Sequence, residues 1–121
     1  MEFIVDKRDK SKVVIVDNVD KCIKNVGDAM DIMASISYNY ECRKFVIKKE
    51  NIVEEFFNLK TGLAGEILQK YTNYSVKVAI VGDFSVYESK SLKDFIYECN
   101  HGKQIFFVEN IDDALDRLHS V

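Results

Sequence analysis

Short apolar runs alternate along the chain with longer segments in which apolar residues recur three and four positions apart. The short runs are rich in β-branched and aromatic residues, which is typical of strands. They predict five strands, at Phe3–Asp6, Val13–Asp17, Lys44–Lys48, Val76–Val81 and Gln104–Val108. The longer segments predict four amphipathic helices. A short polar turn of residues 7–12 separates the first two strands, so we expect an antiparallel hairpin there.

Side chains that accept hydrogen bonds from a free helix start precede three of these helices. Asn25 and Asn110 stand before the first and the fourth helix, and Ser89 or Ser91 stands before the third. The predicted core faces are Val26, Ala29, Met30 and Met33 in the first helix, Leu63, Ala64, Ile67, Leu68 and Tyr71 in the second, Leu92, Phe95, Ile96 and Cys99 in the third, and Ile111, Ala114, Leu115 and Leu118 in the fourth.

The elements follow the order ββαβαβαβα, which predicts an α/β fold. Alternation of strands and helices favours right-handed crossovers and a largely parallel sheet. We therefore expect one domain, residues 1–121, with a mostly parallel five-stranded sheet, an antiparallel first strand and about four helices.

Two loops are expected at the carboxyl edge of this sheet, where open α/β sheets bind ligands. The first leads from the third strand to Thr61. Within it, Asn51 and Glu54 have the spacing of a capping arrangement and predict a short turn through Phe57. The second loop runs from Gly82 to Lys90.

Composition narrows the possible partners and the compartment. The net charge is −3, from 17 basic and 20 acidic residues, and lacks the basic excess typical of nucleic-acid binding. No apolar run approaches the roughly 20 residues of a membrane span, and the early charges of the N-terminus do not suit a secretory signal. Cys22, Cys42 and Cys99 form no CxxC pair, which favours a reducing compartment, so we expect a cytoplasmic protein.

The start of the second helix is the main candidate site. Asn58, Lys60, Thr61 and Gly62 bring a cation, a hydroxyl and a glycine to a point where backbone N–H groups lack helical partners. Thr61 has a structural interpretation as a helix cap, and a functional one as a phosphoacceptor whose phosphate would lie beside Lys60. Gly62 and Gly65 are interpreted as sites of close approach between helix and sheet.

Asp83, Ser85 and Tyr87 form a second polar group, in the Gly82 to Lys90 loop. Asp83 suits a turn in which its side chain accepts a hydrogen bond from the backbone. Alternatively, these three side chains face Thr61 across the sheet edge and complete a polar pocket. Lys60-Thr61 resembles the end of a P-loop, but the upstream glycine is missing, which excludes nucleotide triphosphate binding by that route.

No catalytic or metal-binding constellation can be assigned from the spacing. His101 and His119 lie near predicted helix ends, where a cationic imidazole suits the helix dipole. Cys99-Asn100-His101 is too short for a metal site by itself, and no Ser-His-Asp arrangement is evident. The basic residues of the first turn are interpreted as a solvated hairpin tip, and no cofactor is expected; the basic residues are Lys7, Arg8, Lys10 and Lys12.

Over nearly its whole length the chain resembles a bacterial family of uncharacterised domains, domain of unknown function 4180. The segments that carry this resemblance are Phe56–Lys70, Val81–Ser85 and Ser91–Ile96. The family has no established function, so the resemblance implies none.

The chain also resembles, more distantly, the STAS domains, a group that includes anti-sigma factor antagonists. The resemblance lies in the element order, in Thr61-Gly62-Leu63 at the second helix, and in the ending Phe106–Val108 with Asp113–Leu115. It implies that Thr61 matches the phosphorylated residue of that family and Gly62 its glycine. Leu59 and Lys60 depart from the pattern, because they stand where STAS domains have an Asp and a second hydroxyl.

Three hypotheses follow for the function. The first is a non-enzymatic, STAS-like module that binds a protein through the surface around Thr61 and the second loop. The second is a domain that binds a small anionic ligand, or an enzyme, with Lys60, Thr61, Asp83 and Ser85 as pocket groups. The third is a homodimer with Phe56, Phe57 and Tyr74 at its interface.

Overall fold

Alternation along the strands divides their side chains between the two faces of one sheet. The computed structural model describes residues 1–121, and its strands lie in the order β1-β2-β3-β4-β5. The elements are β1 (Glu2–Arg8), β2 (Ser11–Asp17), α1 (Val26–Tyr40), β3 (Lys44–Lys48), α2 (Leu63–Asn73), β4 (Lys77–Val81), α3 (Lys90–Asn100), β5 (Ile105–Val108) and α4 (Ile111–His119). β1 pairs antiparallel with β2, and all other pairs are parallel. The predicted order of strands and helices along the chain is confirmed, as is a largely parallel sheet with an antiparallel first strand.

The sheet carries a hydrophobic core on each face. The larger core lies under α1, α2 and α3, and its strand residues are Val14, Val16, Phe45, Ile47, Val78, Ile80 and Phe107. The smaller core lies under α4 and contains Val13, Val46, Ala79, Phe106, Ala114, Leu115 and Leu118. Each large apolar side chain buried in this way contributes roughly 1.5–3 kcal/mol. This two-sided burial explains why the strands read as nearly continuous apolar runs.

The predicted helix caps are confirmed, with Ser89 rather than Ser91 at the start of α3. The Asn25 side chain accepts from the Asp28 amide at 2.8 Å, Ser89 accepts from Leu92, and Asn110 accepts from Asp113. None of the four helices has the length and the apolar content that crossing a bilayer requires.

The core face of α1 differs from the prediction. Ala29, Ile32 and Ile36 are buried, whereas Met30 and Met33 are only partly buried. The face turns this way because α1 packs against α2, where the buried Tyr71 hydroxyl donates to the Ala29 carbonyl at 2.8 Å. Met30 and Met33 therefore lie beside the buried face of α1 and not at its centre.

The predicted capping role of Asn51 is wrong. The turn through Phe57 is a 3₁₀ helix, Glu54–Phe57, that has no side-chain cap. Asn51 is fully buried, and its Nδ2 donates to the carbonyls of Asn18 and Asp20, both at 2.9 Å. Its side chain thus ties the segment between β2 and α1 to the chain that leaves β3.

Candidate functional site

The two predicted loops meet at the carboxyl edge of the sheet. Because β3 and β4 pair in parallel, the segments that follow them leave the same edge side by side. The segment after β3 consists of three short 3₁₀ turns, Lys49–Asn51, Glu54–Phe57 and Leu59–Thr61. The segment after β4, residues 82–89, is irregular.

An aromatic cluster joins the two loops. The Phe57 ring is 3% exposed and stacks on Tyr87, with centroids 5.4 Å apart, and it also contacts Phe84 at 6.0 Å. The Tyr87 hydroxyl donates to the Glu54 carboxylate at 3.0 Å, and Lys49 Nζ lies 4.9 Å from the Tyr87 ring centroid. Burial, with a further contribution from Glu54, raises the pKa of Tyr87, so the hydroxyl stays protonated as a donor.

Beside this cluster lies an acidic cleft of about 510 Å³. It is lined by Glu54, Glu55, Phe57, Asn58, Tyr87, Glu88 and Ser89. Three of these side chains are carboxylates and none is basic. A cleft with one sign of charge concentrates ligands of the opposite sign, so this one favours a cationic group and disfavours an anion.

Thr61 is exposed, but its hydroxyl is fully engaged by the turn. Thr61 Oγ1 lies 2.8 Å from the Glu55 carbonyl oxygen and 2.9 Å from that of Asn58, and it accepts from the Leu63 amide at 3.3 Å. The Asn58 side chain in turn accepts from the Lys60 amide. The Thr61 side chain therefore holds the turn that precedes α2, and the residue is exposed to solvent.

Gly62 and Gly65 do not serve close approach of α2 to the sheet, as the sequence suggested. A side chain at either position would meet no atom within 4 Å. Gly62 is required instead by its backbone, because its φ of 78° lies in the left-handed region. Gly65 faces solvent in the first turns of α2.

These positions predict opposite effects for the same substitution. We expect Gly62→Ala to destabilise the fold by about 1 kcal/mol, because alanine resists a left-handed backbone. Gly65→Ala is expected to stabilise it by up to about 1 kcal/mol, because alanine favours an exposed helix position. Urea unfolding of both variants measures the difference. Equal effects of one sign would contradict this assignment.

Asp83 and Ser85 form a local turn rather than a pocket with Thr61. Asp83 Oδ1 accepts from the Ser85 hydroxyl at 2.6 Å and from its amide at 3.0 Å, and these hydrogen bonds lower the pKa of Asp83. Asn58 and Tyr87 share the acidic cleft, and Asn58 and Lys60 line a neighbouring groove of about 260 Å³. Thr61, Asp83 and Ser85 line neither.

The carboxylates of the cleft are the feature that sequence reasoning missed. Glu54 and Glu55 follow β3, and Glu88 stands in the loop after β4. Acidic residues after two neighbouring parallel strands were a signal available in the sequence, because the ends of such strands lie at one edge.

The proposed dimer interface is contradicted for its two phenylalanines. Phe56 and Phe57 are 2% and 3% exposed and belong to the larger core, so they cannot contact a second copy. Tyr74 is 51% exposed. It lies beside Tyr38 and Met33 in an apolar groove of about 350 Å³, away from the acidic cleft.

Both histidines lie at helix ends, and His119 also links two other side chains by hydrogen bonds. His101 Nδ1 lies 2.8 Å from the Tyr97 carbonyl oxygen at the end of α3. His119 lies between Asp6 and Ser11, with each ring nitrogen 2.8 Å from an oxygen. Sequence spacing could not indicate this Asp-His-Ser arrangement, because its members come from β1, α4 and β2. The cysteines are free thiols, and no three His, Cys, Asp or Glu side chains are grouped to hold a metal ion.

Comparison with known proteins adds a family and one similar structure. Residues 8–118 match the model of a family described as Domain of unknown function (DUF4180). A solved structure of a Thermotoga maritima protein, provisionally described as an anti-sigma factor antagonist, is similar with 14% sequence identity and a TM-score of 0.45. The alignment covers 96% of this chain and 93% of that chain. No curated protein matches the sequence.

Proposed function

The chain belongs to the DUF4180 family, whose description names no activity, and we propose from the carboxyl edge itself that it is a protein-interaction module. In this proposal the acidic cleft holds a basic segment of a partner protein, and phosphorylation of Thr61 regulates the binding. The observation that carries the proposal is that the Thr61 hydroxyl bonds to the backbone of Glu55 and Asn58, two residues that line the cleft.

The cleft has the features of a recognition site for a cationic side chain. Glu54, Glu55 and Glu88 supply negative charge, and Asn58 supplies an amide. The wall of the cleft formed by Tyr87 is fixed by its stacking on Phe57 and its hydrogen bond to Glu54. A preorganised wall reduces the entropy cost of binding. Lysine and arginine side chains of a partner would find both charge and apolar contact there.

Phosphorylation of Thr61 would disturb this surface through two hydrogen bonds. A phosphoryl group on Oγ1 replaces the proton that the hydroxyl donates and places negative oxygens beside the carbonyl oxygens of Glu55 and Asn58. The free N–H groups at the start of α2 and the Lys60 ammonium attract the phosphate away from them. The turn, and with it one wall of the cleft, would change shape.

A pocket for a small anion at this edge is disfavoured by the same charges. Lys60 is the only basic side chain that lines either groove, and it lies beside Leu59, Ser89 and Ser91 rather than among the carboxylates. The cleft itself would repel a phosphate or a carboxylate. We therefore do not retain the anionic-ligand hypothesis for this site.

The test compares Thr61 variants in binding to a partner captured from cell lysate. We expect Thr61→Ser to retain affinity and Thr61→Glu to lose about tenfold or more, because glutamate removes the hydrogen bonds and adds charge. Thr72→Glu is the matched control, since it adds the same charge to an exposed position near the other end of α2. Unchanged affinity of Thr61→Glu would refute regulation at Thr61. Equal loss of affinity in Thr61→Glu and Thr72→Glu would mean that added negative charge weakens binding wherever it is placed.

A further inference from the structure

Basic residues surround the opposite edge of the sheet, where β2, β3 and β4 begin. A cleft of about 560 Å³ lies there, lined by Lys10, Ser11, Lys12, Glu41, Cys42, Arg43, Lys44, Ser75 and Lys77. Five of these side chains are cations, and Glu41 is the only carboxylate. The chain as a whole carries a net charge of −3, so this concentration of positive charge runs against its composition.

Three of the cations are held in place by hydrogen bonds within the chain. Lys12 Nζ donates to the Tyr40 carbonyl at 2.7 Å, and an Arg43 guanidinium nitrogen donates to the Tyr74 carbonyl at 2.9 Å. Lys44 Nζ donates to the Ser11 hydroxyl, which His119 also contacts, and at 2.7 Å to the backbone oxygen of Val121, the last residue of the sequence. None of these three cations forms an ion pair with a carboxylate side chain of the chain. Lys12 and Arg43 are therefore positioned without a carboxylate partner, whereas Lys44 also donates to the oxygen of Val121.

Two further observations describe the backbone and the charges of this edge. The three non-glycine residues with positive φ all lie at this edge: Asp9, Glu41 and Ser75, at 58°, 50° and 57°. Asp9 lies at the tip of the β1-β2 hairpin, and Glu41 ends α1 with its amide donating to the Ser37 carbonyl. Burial lowers the pKa of Lys44, and the nearby charge of Lys77 lowers it further.

We propose that this cleft binds a small molecule that carries two or more phosphate groups. Lysine ammonium groups and the planar arginine fork are the side chains best suited to phosphate oxygens. The volume lies within the range of small-molecule sites, roughly 300–1,000 Å³, and exceeds what one phosphate needs. The cations enclose one cleft rather than following a stripe, and the acidic remainder of the chain repels a long polyanion, which argues against a nucleic-acid strand.

The proposal is tested by titrating inorganic tripolyphosphate into the whole chain by calorimetry at about 150 mM salt, where distant charges are screened. We expect saturable binding to one site, and weaker binding of orthophosphate. Lys10→Glu with Lys77→Glu should weaken tripolyphosphate binding by about tenfold or more, because two cleft cations become anions. Neither side chain makes a recorded hydrogen bond, so circular dichroism should show an unchanged fold.

The control variant carries Lys24→Glu and Lys93→Glu, which make the same change in net charge at exposed positions outside the cleft. It should bind tripolyphosphate within about twofold of the original chain. Absence of saturable binding, or equal weakening in the two double variants, would overturn the proposal. Tighter binding of a 20-nucleotide single strand that the Lys10 and Lys77 substitutions abolish would also overturn it, in favour of a nucleic-acid surface.

Discussion

Phe57→Ala lowers the free energy of unfolding by about 3–5 kcal/mol, the range expected when a buried phenylalanine is truncated. Phe57 packs against Phe56, Phe84 and Tyr87, so the substitution leaves a cavity between the two loops of the carboxyl edge. A domain of this size has about 5–15 kcal/mol of stability in total, so the loss removes a large share of it. Denaturation in urea, followed by circular dichroism, measures the change.

The matched control for Phe57 is Val86→Ala in the same loop region. Val86 is 61% exposed, so truncating it should change stability by less than about 0.5 kcal/mol. A loss below about 1 kcal/mol for Phe57→Ala would mean that the two loops pack independently, and that the acidic cleft is not held by this cluster.

Asn51→Ala is the second large effect, with an expected loss of about 2–4 kcal/mol. The substitution leaves the carbonyl groups of Asn18 and Asp20 without the fully buried donor that now reaches both. Asn51→Asp should be at least as harmful, because a carboxylate would face the same two oxygen atoms. Chemical denaturation of both variants measures the losses.

Asn39→Ala is the control for this pair, because Asn39 is exposed near the end of α1. It should alter stability by no more than about 0.5 kcal/mol. If Asn51→Ala matched Asn39→Ala, the buried amide would contribute nothing, and the segment between β2 and α1 would be held by backbone hydrogen bonds alone.

The fold could be predicted from local patterns because its elements obey local rules. β-branched runs mark all five strands, and Asn25, Ser89 and Asn110 mark helix starts. The capping role predicted for Asn51 was wrong because the contacts of this residue are not local. Its spacing to Glu54 satisfies a local rule, but its partners lie more than 30 residues away, and burial overrode the local alternative.

The meeting of the two loops at one edge could be predicted from the sequence, but the contacts among their side chains could be predicted only in part. Parallel pairing of β3 and β4 placed both loops at one edge, as the element order required. The side chains that line the cleft are determined by the conformation of the 3₁₀ turns after β3. Residue spacing does not predict that conformation. Asn58 and Tyr87 do share the cleft, whereas Asp83 turns back onto Ser85.

The basic cleft at the other edge was missed because its residues are scattered. Lys10 and Lys12 were interpreted as part of a solvated hairpin tip, while Arg43, Lys44 and Lys77 precede or begin two other strands. Only the strand order β2-β3-β4 brings the three strand starts together. Basic residues at the starts of β2, β3 and β4 could have indicated this cleft. However, ligand sites of α/β sheets are expected at the carboxyl edge.

Amide hydrogen exchange of the chain with and without its captured partner tests the proposed interaction surface most directly. We expect slowed exchange on binding to be concentrated in residues 54–62 and 82–90, the two segments that form the acidic cleft and the Thr61 turn. We also expect Thr61→Glu to remove this protection. Protection confined to the opposite edge, around residues 10–12, 41–44 and 75–77, would contradict binding of the partner at the carboxyl edge.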